Sequence, residues 1–172
     1  MNAIANTKTI GRYAVLDVSL LAAACLIPAL SHITALPLYM LNPMLALLLV
    51  GMLIGRDWRN ALVLAVLMPL TSSLIVGMPT APKMVCMMAE LATIAGLFHL
   101  IMKLESLSSK FKPGVFIAVF LAIVSGKLVY YALKALIIAP AVLVGTEWTV
   151  QLLAVMLWGG VFALLYRGKS EE

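Results

Sequence analysis

Apolar and polar positions follow one another along this chain in long blocks, without the short periods of a soluble fold. Six mainly apolar blocks are separated by short segments rich in charge, proline or glycine. Their approximate bounds are 13–30, 38–54, 60–78, 83–102, 115–139 and 148–166. Because about 20 apolar residues in a helix cross the core of a bilayer, each block suits one membrane span. The pattern predicts an all-α integral membrane protein in which residues 1–172 form a single domain of six transmembrane helices.

The composition supports a membrane location and excludes several classes of protein. Hydrophobic residues make up 64% of the chain and charged residues 11%, against about 45–50% and about 25% in soluble domains. A soluble enzyme, a disordered chain and a secreted disulfide scaffold are therefore excluded. Cys25 and Cys86 both lie in apolar blocks, where we expect buried thiols and neither a disulfide nor a metal framework.

The positive charges predict the orientation of the spans. Nine of the 12 lysines and arginines fall before block one, between blocks two and three, between blocks four and five, and after block six. These segments share one side of the membrane, so the positive-inside rule predicts that both termini are cytoplasmic. Asp17 interrupts the first block, which favours a retained span over a cleaved leader. The net charge of +5 then reflects orientation, and no nucleic-acid partner is expected.

Four ionisable residues lie inside or at the ends of two apolar blocks: Lys83 and Glu90 in the fourth, Lys127 and Lys134 in the fifth. Such groups cost from about 2.5 kcal/mol upward in a membrane and usually face a partner or a cavity. The seven-residue spacing places each pair on one helix face. Glu90 and Lys127 fall at similar depths, about 10 and about 12 Å below the outer face.

We therefore expect a Glu90–Lys127 contact that forms the floor of a cavity open to the outside, with Lys83 and Lys134 at its rim. The alternative is an ion pair that only locks two helices together, with the outer lysines reaching toward water. His32 is expected to be solvated, and His99 to be a buried histidine with its hydrogen bonds satisfied. No metal-binding spacing or nucleotide-binding motif is present in the sequence, so neither a metal nor another cofactor is expected.

Small residues give the first span a face that another helix could approach closely. The pairs Ser19/Ala23 and Cys25/Ala29 have the four-residue spacing of such faces, and Ala22 lies beside them. Alanine is also common in any membrane helix, so ordinary packing remains the alternative.

Two stretches resemble a known family. Leu70–Pro79, with Lys83 and Met87–Leu91 after it, resembles the third and fourth helices of the S components of energy-coupling factor (ECF) transporters, in which a Gly-Met-Pro turn precedes a helix with a Glu-Leu pair. Ser125–Tyr130 is similar to a Gly-Arg-x-Val-Tyr pattern in the fifth helix, with lysine in place of arginine. The size and the six spans with both ends inside also fit this family.

The resemblance implies a subunit that captures a vitamin or similar micronutrient in a bacterial or archaeal cytoplasmic membrane. Its partners would be a membrane coupling subunit and two ATP-hydrolysing subunits. Substrate in the family lies in the outer half, which maps onto Lys83, Glu90, Lys127, Tyr130, Tyr131, Lys134, Trp148 and Gln151, with Asn42 as a further candidate. Family members dock through an Ala-x-x-x-Ala face of the first helix, where this chain offers Ser19, Ala22, Ala23, Cys25 and Ala29.

The expected function is thus binding and transport of a small solute by a subunit that is not itself an enzyme. Three lysines against one glutamate in the outer half favour an anionic solute. A second possibility is a six-span scaffold or complex-assembly subunit that does not transport, which needs no ligand pocket. A membrane enzyme is the third, but it would need a nucleophile and a base on one face, and no such pattern is evident.

Overall fold

The fold comes from a computed structural model that describes the backbone of residues 2–34, 42–55, 57–107, 114–138 and 148–170. Side chains are described for residues 11, 13–31, 33–34, 42–55, 57–104, 114–138 and 150–166. These parts of the chain form six helices and no strand, which confirms the all-α prediction. The helices are α1 (Asn2–Thr34), α2 (Pro43–Gly55), α3 (Trp58–Val76), α4 (Ala81–Leu107), α5 (Gly114–Ile137) and α6 (Trp148–Ser170).

Four of the helices are long and apolar enough to cross a membrane, over Tyr13–Ser31, Trp58–Val76, Ala81–Leu104 and Gly114–Ile137. The apolar parts described in α2 and α6, Pro43–Gly55 and Val150–Tyr166, are shorter. Large apolar side chains cover the outside of the bundle, as in the exposed leucines Leu128, Leu136 and Leu164. This exterior suits lipid and would be unfavourable in water, so the chain is consistent with a multi-pass membrane protein.

Most helix boundaries differ by a few residues from the bounds of the apolar blocks, and three of the differences have a local reason. The first helix begins at Asn2 and includes the segment before the first apolar block, since no proline interrupts it there. The third begins at Trp58 because the Asp57 carboxylate accepts the backbone N–H of Arg59 at 2.9 Å and caps it. It ends at Val76, before the expected Met78, because Gly77 adopts a left-handed φ of 75° and terminates the helix.

The helices pack around a core of fully buried leucine, isoleucine and methionine side chains, among them Leu45, Leu48, Leu64, Met68 and Ile94. Helix α4 lies between α3 and α5 and makes its most extensive contact with α5. Helix α1 packs on α2 and α3, and α6 packs on α5 and α2. The contacts form a closed ring in the order α1, α3, α4, α5, α6 and α2.

Side-chain contacts show which helix ends lie together. Trp58 at the start of α3 stacks on His99 near the end of α4, and Tyr166 near the end of α6 contacts Phe98. We call this the Asp57 end. At the opposite end, which we call the Lys83 end, Asn42 just before α2 contacts Glu90, and Tyr131 late in α5 contacts Gln151 early in α6.

Candidate functional site

Helices α4 and α5 bring the two predicted intramembrane charges into contact. The Nζ of Lys127 lies 2.7 Å from Oε1 of Glu90, so the predicted ion pair is present. The side chain of Glu90 is 4% exposed and that of Lys127 is 19% exposed. A carboxylate buried to this degree requires a countercharge or several hydrogen bonds, and Lys127 supplies both a charge and a donor.

A glycine beside Lys127 allows the close approach of α5 to α4. A Cβ built at Gly126 would lie 2.5 Å from Cγ1 of Ile94 and 2.9 Å from the carbonyl oxygen of Glu90. Both distances are shorter than van der Waals contact allows. Any larger residue at position 126 would therefore push the two helices apart. Gly126 therefore sets the distance over which Lys127 reaches Glu90.

Asn42 adds a third helix to the same contact. Its side-chain N–H donates to Oε1 of Glu90 at 3.5 Å, and its backbone carbonyl accepts the N–H of Ala46 at the start of α2. Asn42 has a left-handed φ of 49°, a conformation that asparagine tolerates better than most residues. The Glu90 carboxylate thus joins α2, α4 and α5. We call Asn42, Glu90, Lys127 and Tyr130 the Glu90 cluster.

Two neighbouring tyrosines extend the Glu90 cluster toward α6. The Nζ of Lys127 lies 5.5 Å from the ring centroid of Tyr130, a cation–π distance. The rings of Tyr130 and Tyr131 meet edge to face with centroids 5.4 Å apart. The Tyr131 hydroxyl donates to Oε1 of Gln151. Four helices therefore contribute polar side chains within this part of the bundle.

The remaining predicted lysines lie closer to the Lys83 end. Lys83 is exposed in the first turn of α4, and Lys134 is half-buried in the last turn of α5. Because Glu90 and Lys127 neutralise each other, Lys83 and Lys134 supply the excess positive charge of this region. Ammonium groups, phenol rings and amides lie toward this end of the bundle, and they are groups that can bind an anion with a planar part.

The side chain of Trp148 lies outside the described residues, so its predicted place beside Gln151 stays a prediction. The small residues of α1 divide between two environments. Leu20 and Ala24 are buried against the bundle, whereas Ser19 and Ala22 are exposed and Ala23, Cys25 and Ala29 are half-buried. The hydroxyl of Ser19 donates to the carbonyl of Val15 in its own helix at 2.8 Å. Cys86 is buried as expected, whereas Cys25 is only half-buried.

One polar contact inside the bundle was not predicted. The side-chain N–H of Asn60 in α3 donates to Oδ1 of Asp17 in α1 at 2.8 Å. The sequence showed Asp17 only as an interruption of an apolar block, and nothing in the spacing indicated that α1 packs on α3. The sequence does contain one signal of this contact. An acidic residue and an asparagine lie at similar distances from the same end of two spans.

Comparison of the chain with protein-family models, with curated proteins and with solved structures found no match.

Proposed function

We propose that the chain is the substrate-binding membrane subunit of an ECF-type importer, and that it captures an anionic vitamin or related micronutrient. The observation that carries the proposal is the buried Glu90–Lys127 pair, surrounded by Asn42 and Tyr130. Ionisable groups inside a membrane protein are costly and are usually retained for function. Two of those in this chain, Glu90 and Lys127, are in contact within the bundle.

An anion suits this region better than a cation for two reasons. Lys83 and Lys134 carry positive charge that Glu90 does not neutralise, because Glu90 already pairs with Lys127. A cation would have to compete with Lys127 for a carboxylate that is almost fully buried, which would leave an ammonium group without a partner. Tyr130 and Tyr131 offer ring surface to a planar part of the ligand.

In the proposed topology all six helices cross the membrane and both termini are cytoplasmic. The concentration of lysine and arginine between the second and third and between the fourth and fifth helices supports this orientation. The Lys83 end then faces outward, and substrate would reach the Glu90 cluster from outside the cell. The membrane would be the cytoplasmic membrane of a bacterium or archaeon.

The proposed partners are a membrane coupling subunit and two ATPase subunits, which would supply the energy for release. The sequence has no nucleotide-binding motif of its own, so ATP would be hydrolysed by the partners. The docking face would be the small-residue side of α1, with Ser19, Ala22, Ala23, Cys25 and Ala29. The exposure of Ser19 and Ala22 supports this assignment.

A second candidate is a scaffold or complex-assembly subunit that does not transport. One observation favours it: a single oxygen of Glu90 accepts from both Lys127 and Asn42. A carboxylate that joins three helices in this way can be explained as a lock on the bundle without any ligand.

Mass spectrometry of small molecules that co-purify with the full-length protein tests the proposal. We expect an anionic compound to be enriched with the wild-type protein. The Lys134→Ala variant should retain at least ~10-fold less of this compound, because it loses one charge-assisted hydrogen bond to the anion. Lys103→Ala is the matched control, because Lys103 is an exposed lysine of α4 toward its other end. If no anion is enriched, or if both variants retain it like the wild type, the proposal is wrong and a scaffold is favoured.

A further inference from the structure

A cavity lies at the Asp57 end of the bundle, opposite the Glu90 cluster. The cavity has a volume of about 270 Å³ and lies between α2, α3, α4 and α6. We call it the Asp57 cavity. Its described lining residues are Met52, Asp57, Trp58, Ala61, Ala95, Phe98, His99, Met102 and Tyr166. The volume lies just below the ~300 Å³ at which pockets for drug-sized ligands begin, so it fits a small ligand.

The cavity has a buried apolar floor and a polar mouth. Ala61 and Ala95 are almost fully buried, and Phe98 and Met52 are buried beside them. Two alanines on adjacent helices leave space that larger side chains would fill. Asp57 is exposed and Trp58 is 41% exposed, so these two residues lie where the cavity opens.

The aromatic walls of the cavity are ordered by contacts with one another. The Trp58 indole stacks on the His99 imidazole with ring centroids 5.2 Å apart and planes 15° apart. The Phe98 and Tyr166 rings meet edge to face with centroids 5.7 Å apart. The guanidinium of Arg59 already lies 5.9 Å from the centroid of the Trp58 indole, a distance at which an aromatic face attracts a cation.

The formal charge of the described lining residues is negative, and the Arg59 guanidinium lies beside them, over the Trp58 indole. Asp57 contributes a carboxylate, and no lysine or arginine is among the described lining residues. One oxygen of that carboxylate accepts the backbone N–H of Arg59, which fixes its position at the mouth. Aromatic walls together with one carboxylate are the combination that recognises organic ammonium ions.

We propose that the Asp57 cavity binds a small organic ammonium ion, with its charged nitrogen near Asp57 and its carbon groups against Phe98, Tyr166 and the indole of Trp58. The site is separate from the proposed substrate site, because it lies at the other end of the bundle and has the opposite charge. It would exist equally in a transporter subunit and in a scaffold.

Isothermal titration calorimetry on the full-length protein in detergent tests this site, with choline as the cation and 3,3-dimethylbutan-1-ol as its uncharged isostere. We expect choline to bind at least ~10-fold more tightly than the alcohol. Asp57→Asn should lower choline affinity at least ~5-fold while keeping the helix cap, because asparagine caps as well as aspartate. Arg59→Gln should raise affinity, because it removes a competing cation.

A variant that fills the cavity provides the second test. Ala95→Leu places a branched side chain in the floor, and we expect it to abolish choline binding. Should this variant fail to fold, Asp57→Asn still decides the question, because its side chain is exposed and nearly isosteric. The site is disproved if choline gives no binding heat, if the alcohol binds as tightly as choline, or if Asp57→Asn binds choline like the wild type.

Discussion

Lys127 and Glu90 form an ion pair of 2.7 Å between α5 and α4, and the two partners differ in their access to water. Glu90 is 4% exposed, whereas Lys127 is 19% exposed. The lysine can move its ammonium toward the solvent-accessible end through its flexible side chain, but the carboxylate cannot. The two single replacements should therefore have unequal effects.

Lys127→Met should lower the free energy of unfolding by about 3–5 kcal/mol, because it leaves a buried carboxylate without a countercharge. Glu90→Gln should cost less, since Lys127 can then reorient. The double variant should recover most of the loss, because it leaves no uncompensated charge. Thermal unfolding in detergent micelles measures all three. Additive effects of the two changes would contradict a coupled pair.

Gly126→Ala should separate α5 from α4, because its Cβ would overlap Ile94 and the carbonyl of Glu90. We expect a loss of about 1–3 kcal/mol, typical of overpacking in a well-packed interior. Gly160→Ala is the matched control, because a Cβ there meets nothing within 4 Å. Alanine also has the higher helix propensity, so the control should be neutral or slightly stabilising. Equal melting temperatures for the two variants would disprove the close-approach role.

The ion pair could be predicted from the sequence because its two charges are the rare ionisable groups of two apolar blocks. Counting residues from each block end placed Glu90 and Lys127 at one depth, and the contact is present. Trp58 and Tyr166 also lie at one end of the bundle, since both line one cavity. Charge and aromatic residues mark depth in a membrane, and depth can be read along the chain.

Lateral neighbours could not be predicted in the same way. The Asp17–Asn60 hydrogen bond depends on α1 packing beside α3, and nothing in the apolar pattern specifies which helices are adjacent. The Asp57 cavity was missed because its space comes from Ala61 and Ala95. Alanine is a common residue of membrane helices and gives no indication that two of them face each other.

Asp17→Ala should weaken the attachment of α1 to α3, because Asn60 loses the carboxylate to which it donates. The expected cost is about 1.5–3 kcal/mol, the range for hydrogen bonds to charged groups. Asn60→Ala should have a similar effect, and the double variant should be little worse than either. Thr34→Ala serves as the control in α1, because its exposed hydroxyl bonds only within its own helix among the described contacts. Fully additive losses at positions 17 and 60 would argue against the bond.

Tyr131→Phe should loosen the contact between α5 and α6, because the Gln151 carbonyl loses its phenolic donor. We expect a loss of about 1 kcal/mol, measured as a lower melting temperature. Tyr130→Phe is the paired control: it removes the same atom from the adjacent residue but keeps the ring that faces Lys127. A larger effect at position 130 than at 131 would contradict this assignment.

The central claim is that the Glu90 cluster binds an anionic substrate and is not only a lock between helices. The most direct measurement quantifies the co-purified anion on the Glu90→Gln/Lys127→Met double variant, in which the expected recovery of stability separates folding from binding. The account predicts a protein that melts close to the wild type. It should retain at least ~10-fold less anion, because the Lys127 ammonium, whose three N–H donors can serve both Glu90 and an anion, is lost. A stable double variant that retains the anion at the wild-type level would contradict the claim.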